Sequence, residues 1–183
     1  MAEESNGGGR EKQVALLTAL LVWFRRESAK LAEALRNGII TLAAWLAGMR
    51  QLVRRLHVAA AQIAGGLDDA LVAARIREQY GYLDRFAAAI QDGDESGEEL
   101  SVAAIIARAA LYAGAAWATF WAATQGQEAG REVHWWTVGD SRCCPDCVVL
   151  EDRGWLPVAD LPTFPGAGDT QCMTNCRCRL EYR

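Results

Sequence analysis

Apolar residues recur along the first two thirds of the chain at alternating steps of three and four positions. Only Ser28 interrupts the first such series, which begins near residue 10. Its members are Val14, Leu17, Leu21, Phe24, Leu31 and Leu35. This spacing keeps the apolar side chains on one face of a helix. Asn37-Gly38 then predicts the end of that helix, because glycine readily adopts the left-handed conformation found at helix ends.

The same alternation predicts a second helix over residues 40–64, which Gly65-Gly66 would end. Its apolar stripe consists of Leu42, Trp45, Met49, Leu52, Leu56, Ala59 and Ile63. Leu52 lies near the middle of this stripe, so we expect it to be buried against the other helices.

Two further helices follow, each preceded by a residue that suits a helix N-terminus. Asp68 is expected to cap the third helix, and Ser96 with Glu99 has the spacing of a capping box before the fourth, which should end near residue 124. Four apolar stripes need one another for burial, and the connections between them are short. The pattern therefore predicts an antiparallel helical bundle.

The character of the chain changes after Gly126, where β-branched and aromatic residues become frequent. A strand is expected over residues 132–138, and segments 148–150 and 155–158 are expected to pair as a hairpin. Residues 159–175 read as an irregular loop. The predicted organisation is a disordered tail (1–9), a helical domain (10–125) and a small cysteine-rich module of mixed α+β or irregular structure (126–183).

All six cysteines lie in this module, from Cys143 to Cys178. Cys144-Pro-Asp-Cys147 has the Cys-x-x-Cys form that places two thiolates on one side of a zinc ion. The second pair of ligands must come from Cys172, Cys176 and Cys178, and spacing leaves that choice open. His134 is close enough in sequence to replace one cysteine. A module this small buries little apolar area, so a structural zinc ion would supply folding energy.

Free or disulfide-bonded cysteines and a redox site are the alternatives for this module. The chain has no basic, then apolar N-terminal segment of the kind that directs secretion. We therefore expect a reducing compartment, in which thiols stay available for metal. An apolar stretch without charged residues covers residues 109–124, about 16 residues where a membrane span needs about 20. A buried helix is expected there, and no membrane span.

Other candidate residues have less specific surroundings. His57 lies near the stripe of the second helix and is expected to be half-buried or at the surface. The indole rings of Trp135, Trp136 and Trp155 could stack on bases, but a miniature core over the metal is the preferred interpretation. Four carboxylates of the module are interpreted as solvated turn residues and not as a hydrolytic site. They are Asp140, Asp146, Glu151 and Asp152.

The C-terminal residues resemble a known family. The matching features are Trp136-Thr137, Asp140-Ser-Arg-Cys-Cys-Pro-Asp-Cys147, Gly154, Leu161-Pro-Thr-Phe-Pro165 and Asn175-Cys-Arg-Cys178. Together they are similar to the C-terminal domain of phage head-morphogenesis proteins, the minor head proteins of the Mu F-like type. Cys144, Cys147, Cys176 and Cys178 fall on the family's cysteines, so the resemblance favours these four as zinc ligands. Met173-Thr174 stand where the family often has His-Pro, and Cys143 is an additional cysteine.

The resemblance implies a structural, non-enzymatic role. Such proteins are implied to contact the portal protein and other head proteins during capsid assembly and DNA packaging or ejection. They would lie in the virion head, or in the host cytoplasm during assembly. Contact with packaged DNA and oligomerisation are compatible with this role.

Two other classes of function stay open. One is a zinc-ribbon protein that binds nucleic acid. The whole chain carries a net charge of −4, and residues 133–183 hold five arginines against seven acids, a sum of −2, which argues against that class. The other is a hydrolytic enzyme, which the lack of a nucleophile–base constellation in the sequence disfavours.

Overall fold

The computed structural model describes residues 7–66, 68–93, 99–173 and 176–183. Four long helices come first, α1 (Gly7–Arg36), α2 (Leu42–Ala64), α3 (Asp69–Asp92) and α4 (Val102–Gln127). The C-terminal segment then contains β1 (Glu132–Trp136), α5 (Pro145–Glu151), β2 (Leu156–Pro157), a 3-10 turn (Val158–Asp160) and β3 (Arg179–Tyr182). The chain is therefore mainly helical with a small C-terminal sheet, as the sequence predicts.

Short polar side chains begin three of the long helices. Thr41 accepts the backbone N–H of Ala44 at the start of α2, and Asp68 caps α3 as predicted. Ser101 caps α4 by accepting the N–H of Ala104 at 3.1 Å. The N-cap of α4 is thus Ser101 and not the predicted Ser96, which lies outside the described residues. The capping-box spacing of Ser96 and Glu99 favoured Ser96 in the sequence. In the structure, the hydroxyl of Ser101 alone caps the helix.

Helix α1 begins earlier than predicted, because residues 7–9 of the predicted tail belong to it. Once a helix is nucleated, each further residue adds a hydrogen bond at little cost, so even glycines can extend it. Arg10 also holds this first part of the helix, since its guanidinium donates to Thr124 Oγ1 at 2.9 Å and to the Glu128 carboxylate. Residues 1–6 lie outside the described residues.

Contacts between helices give the direction of each one. The two ends of α1 contact opposite ends of the α4 segment, Arg10 with Thr124 and Arg36 with Glu99, so these helices are antiparallel. The ring of Trp45, near the start of α2, contacts that of Phe86, near the end of α3, at 5.4 Å between centroids. Helices α2 and α3 are therefore antiparallel as well.

Helices α2 and α4 run in the same direction and pack against each other, so successive helices alternate in direction. His57 of α2 contacts Thr119 of α4, and Gly66, just after α2, lies beside Gln127 at the end of α4. Helix α4 also packs on α1 and α3. By length and composition it is the one helix of the described residues apolar enough to cross a membrane, but half of its most apolar window is buried in the protein.

The core combines the predicted stripes with part of the C-terminal segment. Leu52 is 8% exposed and Ser28, the polar interruption of the first stripe, is buried while donating to the carbonyl of Arg25 at 3.0 Å. The largest fully buried apolar side chains include Leu17, Phe24, Trp45, Met49, Leu56, Leu83, Phe86, Ile105, Phe120, Trp121 and Trp135. Val133 and Trp135 of β1 belong to the same continuous core as the helices.

His57 is fully buried, which corrects the expectation of a half-buried or surface position. Its Nδ1 lies 2.6 Å from the hydroxyl oxygen of Thr119 on α4. Burial, assisted by the nearby charge of Arg75, lowers the pKa of His57 to about 4. The imidazole is thus neutral in the folded protein at neutral pH. The sequence shows that His57 lies near the apolar stripe of α2. It does not show that α4 packs on His57 and buries it.

The buried imidazole predicts a loss of stability in acid. The unfolded chain binds a proton at His57 below about pH 6.5, whereas the folded chain does so only near pH 4, so stability falls as pH drops through this window. Each unit between these pKa values corresponds to about 1.4 kcal/mol, which gives a loss of up to about 3 kcal/mol. Urea unfolding of the wild type and of His57→Gln across this range measures the effect.

The variant should lose this part of the pH dependence whatever its stability at pH 7. Acid sensitivity that arises in the cysteine-rich segment is common to both proteins and cancels in the comparison. Parallel stability profiles for the two proteins between pH 6.5 and 4 would contradict the prediction.

The C-terminal sheet has the strand order β2-β1-β3, and both pairs are antiparallel. The predicted hairpin is wrong, because residues 148–150 lie in α5 and β2 pairs with β1 instead. Pro145 is the reason: it occupies the first turn of α5, where its fixed φ suits a helix and its missing N–H costs nothing. Strand β3 was not predicted, since so short a strand shows no clear alternation.

Candidate metal centre

The first cysteine arm is built by the start of α5. Cys144 is the residue before the helix, in an extended conformation, and Cys147 lies in the first turn, where its side chain is 1% exposed. The N–H of Cys147 donates to the carbonyl of Cys144 at 3.1 Å, which closes the turn. Both residues therefore face the same side, as the Cys-x-x-Cys spacing predicts.

The second arm comes from the segment that leads into β3. Cys172, Cys176 and Cys178 supply its sulfurs, and Cys178 directly precedes the strand. Residues 174 and 175, which include the motif residue Asn175, lie outside the described residues. Pairing of β3 with β1 fixes this arm relative to the helices, because β1 packs its Val133 and Trp135 into the core.

Five of the six sulfurs converge, and they form two triads that share Cys147. Cys144, Cys147 and Cys172 form one triad, and Cys147, Cys176 and Cys178 form the other; within each, the sulfurs lie within 4.8 Å of one another. The Cys147 sulfur is 3.6 Å from that of Cys172 and 3.7 Å from that of Cys176. The structure thus brings together every cysteine that the sequence offered as a ligand, Cys172 included.

These distances suit a tetrahedral metal ion. Sulfurs bound to zinc at about 2.3 Å in a tetrahedron lie about 3.8 Å apart. A cavity of about 20 Å³ lies between Cys144, Cys147, Cys172 and Cys178, which is space for one water-sized body. The cluster could therefore hold a metal ion, and its all-sulfur donor set suits a soft or borderline cation.

The close packing of the thiols raises the pKa of three cysteines and lowers that of Cys144. Burial raises the pKa of Cys147 above its usual range and that of Cys172 to about 11. Interaction with the Cys178 side chain, then burial, raises the pKa of Cys176. Burial opposes ionisation of Cys144 as well, but hydrogen bonds from Cys147 and Cys172 together outweigh it and lower the Cys144 pKa. Neighbouring thiolates repel one another, so a bound cation would favour their joint ionisation.

Two carboxylates of the module make hydrogen bonds and an ion pair that connect the loops around the cysteine cluster. Asp140 binds Arg177 in a bidentate ion pair, with both N–O distances 2.7 Å, and Arg177 stands between Cys176 and Cys178. This hydrogen bonding lowers the pKa of Asp140 to about 2. Asp146 accepts the N–H of Gln171 at 2.8 Å. Two loops that are distant in sequence are thereby tied together next to the sulfurs.

Glu151, the last residue of α5, also links two segments of the module. Its carboxylate accepts the backbone N–H of Thr137 at 3.1 Å and the Thr137 hydroxyl at 2.6 Å. Asp152 is exposed just after the helix. Three of the four predicted turn carboxylates thus bind protein partners, a role that the sequence did not reveal because each partner is distant along the chain.

His134 lies away from the converging sulfurs of the described residues. Its ring packs between those of Trp136 and Trp155, with centroid distances of 4.3 and 5.4 Å. Trp135 points to the opposite face of β1 and is fully buried in the core. The three tryptophans therefore do not form one cluster, because alternate residues of a strand face opposite sides of the sheet. Cys143 is outside both triads.

A partly buried network of ion pairs joins the module to the helices. Glu128, 8% exposed, binds Arg10 of α1 and Arg131, which also donates to the Tyr182 carbonyl of β3. The guanidinium of Arg10 lies 5.5 Å from the ring centre of Tyr182. These contacts join the N-terminal end of α1, the residue after α4 and the last strand.

Replacing Glu128 by glutamine is expected to lower the free energy of unfolding by about 2–3 kcal/mol, because two partly buried guanidinium groups would lose their carboxylate. The matched control is Glu99→Gln, which removes an exposed partner of Arg36 and should change stability by less than about 1 kcal/mol. Urea unfolding measures both. Equal effects would show that Glu128 is no more important than a surface ion pair.

Comparison of the chain with protein-family models, curated proteins and solved structures finds no match.

Proposed function

We propose that this chain is a structural minor head protein of a phage or prophage, and that its cysteine cluster holds one structural zinc ion. The single observation that carries the proposal is the convergence of the motif cysteines. Cys144, Cys147, Cys176 and Cys178 carry the resemblance to head-morphogenesis proteins. The Cys147 sulfur lies within 4.8 Å of that of Cys144 in one triad and of those of Cys176 and Cys178 in the other, although the two pairs are far apart in the sequence.

Zinc is favoured over other cations by the donor set. Thiolate ligands in a tetrahedral arrangement are typical of structural zinc, whereas calcium and magnesium require oxygen ligands. Cys144, Cys147, Cys176 and Cys178 are the proposed ligands. Cys172 lies beside them as a fifth sulfur, and its interaction with the Thr170 hydroxyl at 3.2 Å gives it a partner other than the metal.

We expect purified protein to carry about one zinc ion per chain by elemental analysis, since one tetrahedral ion uses four of the five sulfurs. A metal-free preparation that keeps its fold would contradict the proposal.

The ligand assignment predicts different outcomes for two cysteines of the second arm. Cys178→Ser is expected to release zinc and unfold the module, whereas Cys172→Ser is expected to retain both zinc and fold. Elemental analysis and near-ultraviolet circular dichroism of the two variants measure this. Zinc loss in Cys172→Ser with retention in Cys178→Ser would instead assign Cys172 as the ligand.

The proposed role is assembly without catalysis, with the portal protein as the expected partner in the phage head. The carboxylates Asp140, Asp146 and Glu151 support this, because each binds a protein group instead of converging on an open site. The test is co-purification of the full chain with the portal protein of the same genome, with a portal protein from an unrelated phage as the control.

A stable complex with the cognate portal protein alone is the expected result. Hydrolase activity that disappears in Asp140→Asn would assign the chain to the enzymes instead. Tight, strongly salt-dependent binding to DNA without portal binding would assign it to the nucleic-acid-binding proteins.

A further inference from the structure

A second cavity lies between α2, α3, α4 and the loop of residues 166–169, and it is also lined by Met173. Its volume is about 360 Å³, within the range of small-molecule sites. Leu111, Ala115 and Ala118 of α4 form an apolar wall along its length. The cavity is elongated, because the residues of α4 that line it extend from Arg108 to Ala118, about 15 Å along a helix.

Three residues with polar side chains, His57, Arg75 and Gln79, line the cavity beside this apolar wall. His57 is 1% exposed, and its Nε2 is buried without a hydrogen-bond partner among the described residues. Arg75 is close enough for its charge to act on His57, and the Gln79 side chain is 9% exposed. An unpaired buried polar atom costs free energy, so a bound group that pairs with it would be stabilised.

The ring nitrogen of His57 that faces away from Thr119 is Nε2, which has no hydrogen-bond partner among the described residues. The low pKa of His57 keeps the imidazole neutral with a single N–H. If the Thr119 hydroxyl donates to Nδ1, the N–H is on Nε2, where the described residues provide no acceptor. With this tautomer, His57, Arg75 and Gln79 each carry a hydrogen-bond donor, and all three residues line the cavity.

The two carboxylates that line the cavity already have partners. Glu78 accepts from Arg75 at 3.3 Å in an exposed pair, which leaves other N–H groups of Arg75 for a ligand. Asp169 accepts from the Thr163 hydroxyl at 2.6 Å. The guanidinium of Arg108, which also lines the cavity, lies 4.7 Å from the ring centre of Phe86. The three donors therefore favour an anionic group.

The loop of residues 166–169 allows close approach to the cavity. Gly168 has φ +100°, and a Cβ atom there would meet nothing within 4 Å, so the backbone borders open space. Gly166 differs, because a Cβ atom at this position would lie 3.0 Å from Cβ of Trp117. Gly166 thus lets the loop pack closely on α4, and Gly168 leaves open space beside the backbone.

We propose that this cavity binds a small organic anion, with its carboxylate or phosphate group at His57, Arg75 and Gln79 and its apolar body along Leu111 and Ala115. The chemistry matches the two parts of the cavity, the three donors and the apolar wall beside them. The proposal is independent of the phage assignment and of the metal, since none of these residues belongs to the cysteine cluster.

The test uses the full chain and four probes. Benzoate and phenyl phosphate combine an anionic group with an aromatic body, benzyl alcohol is the neutral counterpart, and inorganic phosphate lacks the body. Isothermal titration gives the affinities, and the ¹⁵N resonances of the His57 imidazole report on the site itself. Benzoate or phenyl phosphate should bind saturably and shift these resonances. Comparison of the two identifies the preferred anionic group.

Arg75→Gln is expected to weaken the binding of the preferred anion about tenfold or more, because it removes a charged hydrogen bond. The matched control is Arg77→Gln, an exposed arginine of the same helix that does not line the cavity, and it should bind as the wild type does. Arg75 makes only an exposed ion pair, so the variant should fold.

Four results would overturn the proposal. They are no saturable binding of either aromatic anion, equally tight binding of benzyl alcohol, equally tight binding of inorganic phosphate, and unchanged binding by Arg75→Gln.

Discussion

Cys147→Ser is expected to abolish metal binding and unfold the C-terminal module. Cys147 is the corner shared by both sulfur triads, so its loss breaks both. A serine hydroxyl is a poor zinc ligand, because it does not ionise near neutral pH. Structural zinc contributes on the order of 10 kcal/mol in small domains, more than a module of this size can replace. Zinc content should fall from about one ion per chain to nearly none.

The adjacent Cys143 provides the control. It lies outside both triads, and Cys143→Ser should keep the metal and the fold. Near-ultraviolet circular dichroism should register unfolding of the module, because Trp135, Trp136 and Trp155 all lie in it. If Cys147→Ser kept its zinc and its tryptophan signal, the cluster would not be the metal site.

Leu52→Asp should lower the free energy of unfolding by about 3–5 kcal/mol, a large share of the roughly 5–15 kcal/mol typical of a folded protein. Leu52 is 8% exposed in the stripe of α2, and an aspartate there would bury a charge without a partner. The loss of the leucine side chain adds to this cost. Urea unfolding at neutral pH measures the change.

Gln51→Asp is the matched control for Leu52→Asp. Gln51 is the preceding residue of α2 and is exposed, so the variant tests the helix propensity of aspartate without burial. We expect a change of about 0.5 kcal/mol for the control. Similar effects for the two variants would mean that the apolar face of α2 is assigned incorrectly.

The helices were predictable because their signals are local. The alternating stripe that contains Leu52, the Asp68 cap and the glycines after α1 and α2 all act over short stretches of chain, so the sequence places these elements to within a few positions. The errors arose where two local signals competed. Ser96, farther from the start of α4, had the stronger motif, yet Ser101 caps the helix.

The hairpin prediction failed for a similar reason. Residues 148–150 are Val-Val-Leu, a typical strand sequence, but Pro145 and the Cys-x-x-Cys turn begin a helix just before them. The strand preference of valine is weak compared with the context of its neighbours. Strand β2 consequently pairs with β1, on the other side of α5 in the sequence.

The sequence by itself determined the mainly helical fold, the faces of the long helices and the set of cysteines that could be ligands, because these follow from periodicity and residue type. Only the tertiary structure decided that α2 and α4 pack in parallel and enclose His57, that Asp140 pairs with Arg177, and that Cys172 joins the other four sulfurs while His134 does not. The contacts of His57, Asp140 and Cys172 all join residues that are distant along the chain. Their proximity depends on how whole elements pack, and a local pattern does not contain that information.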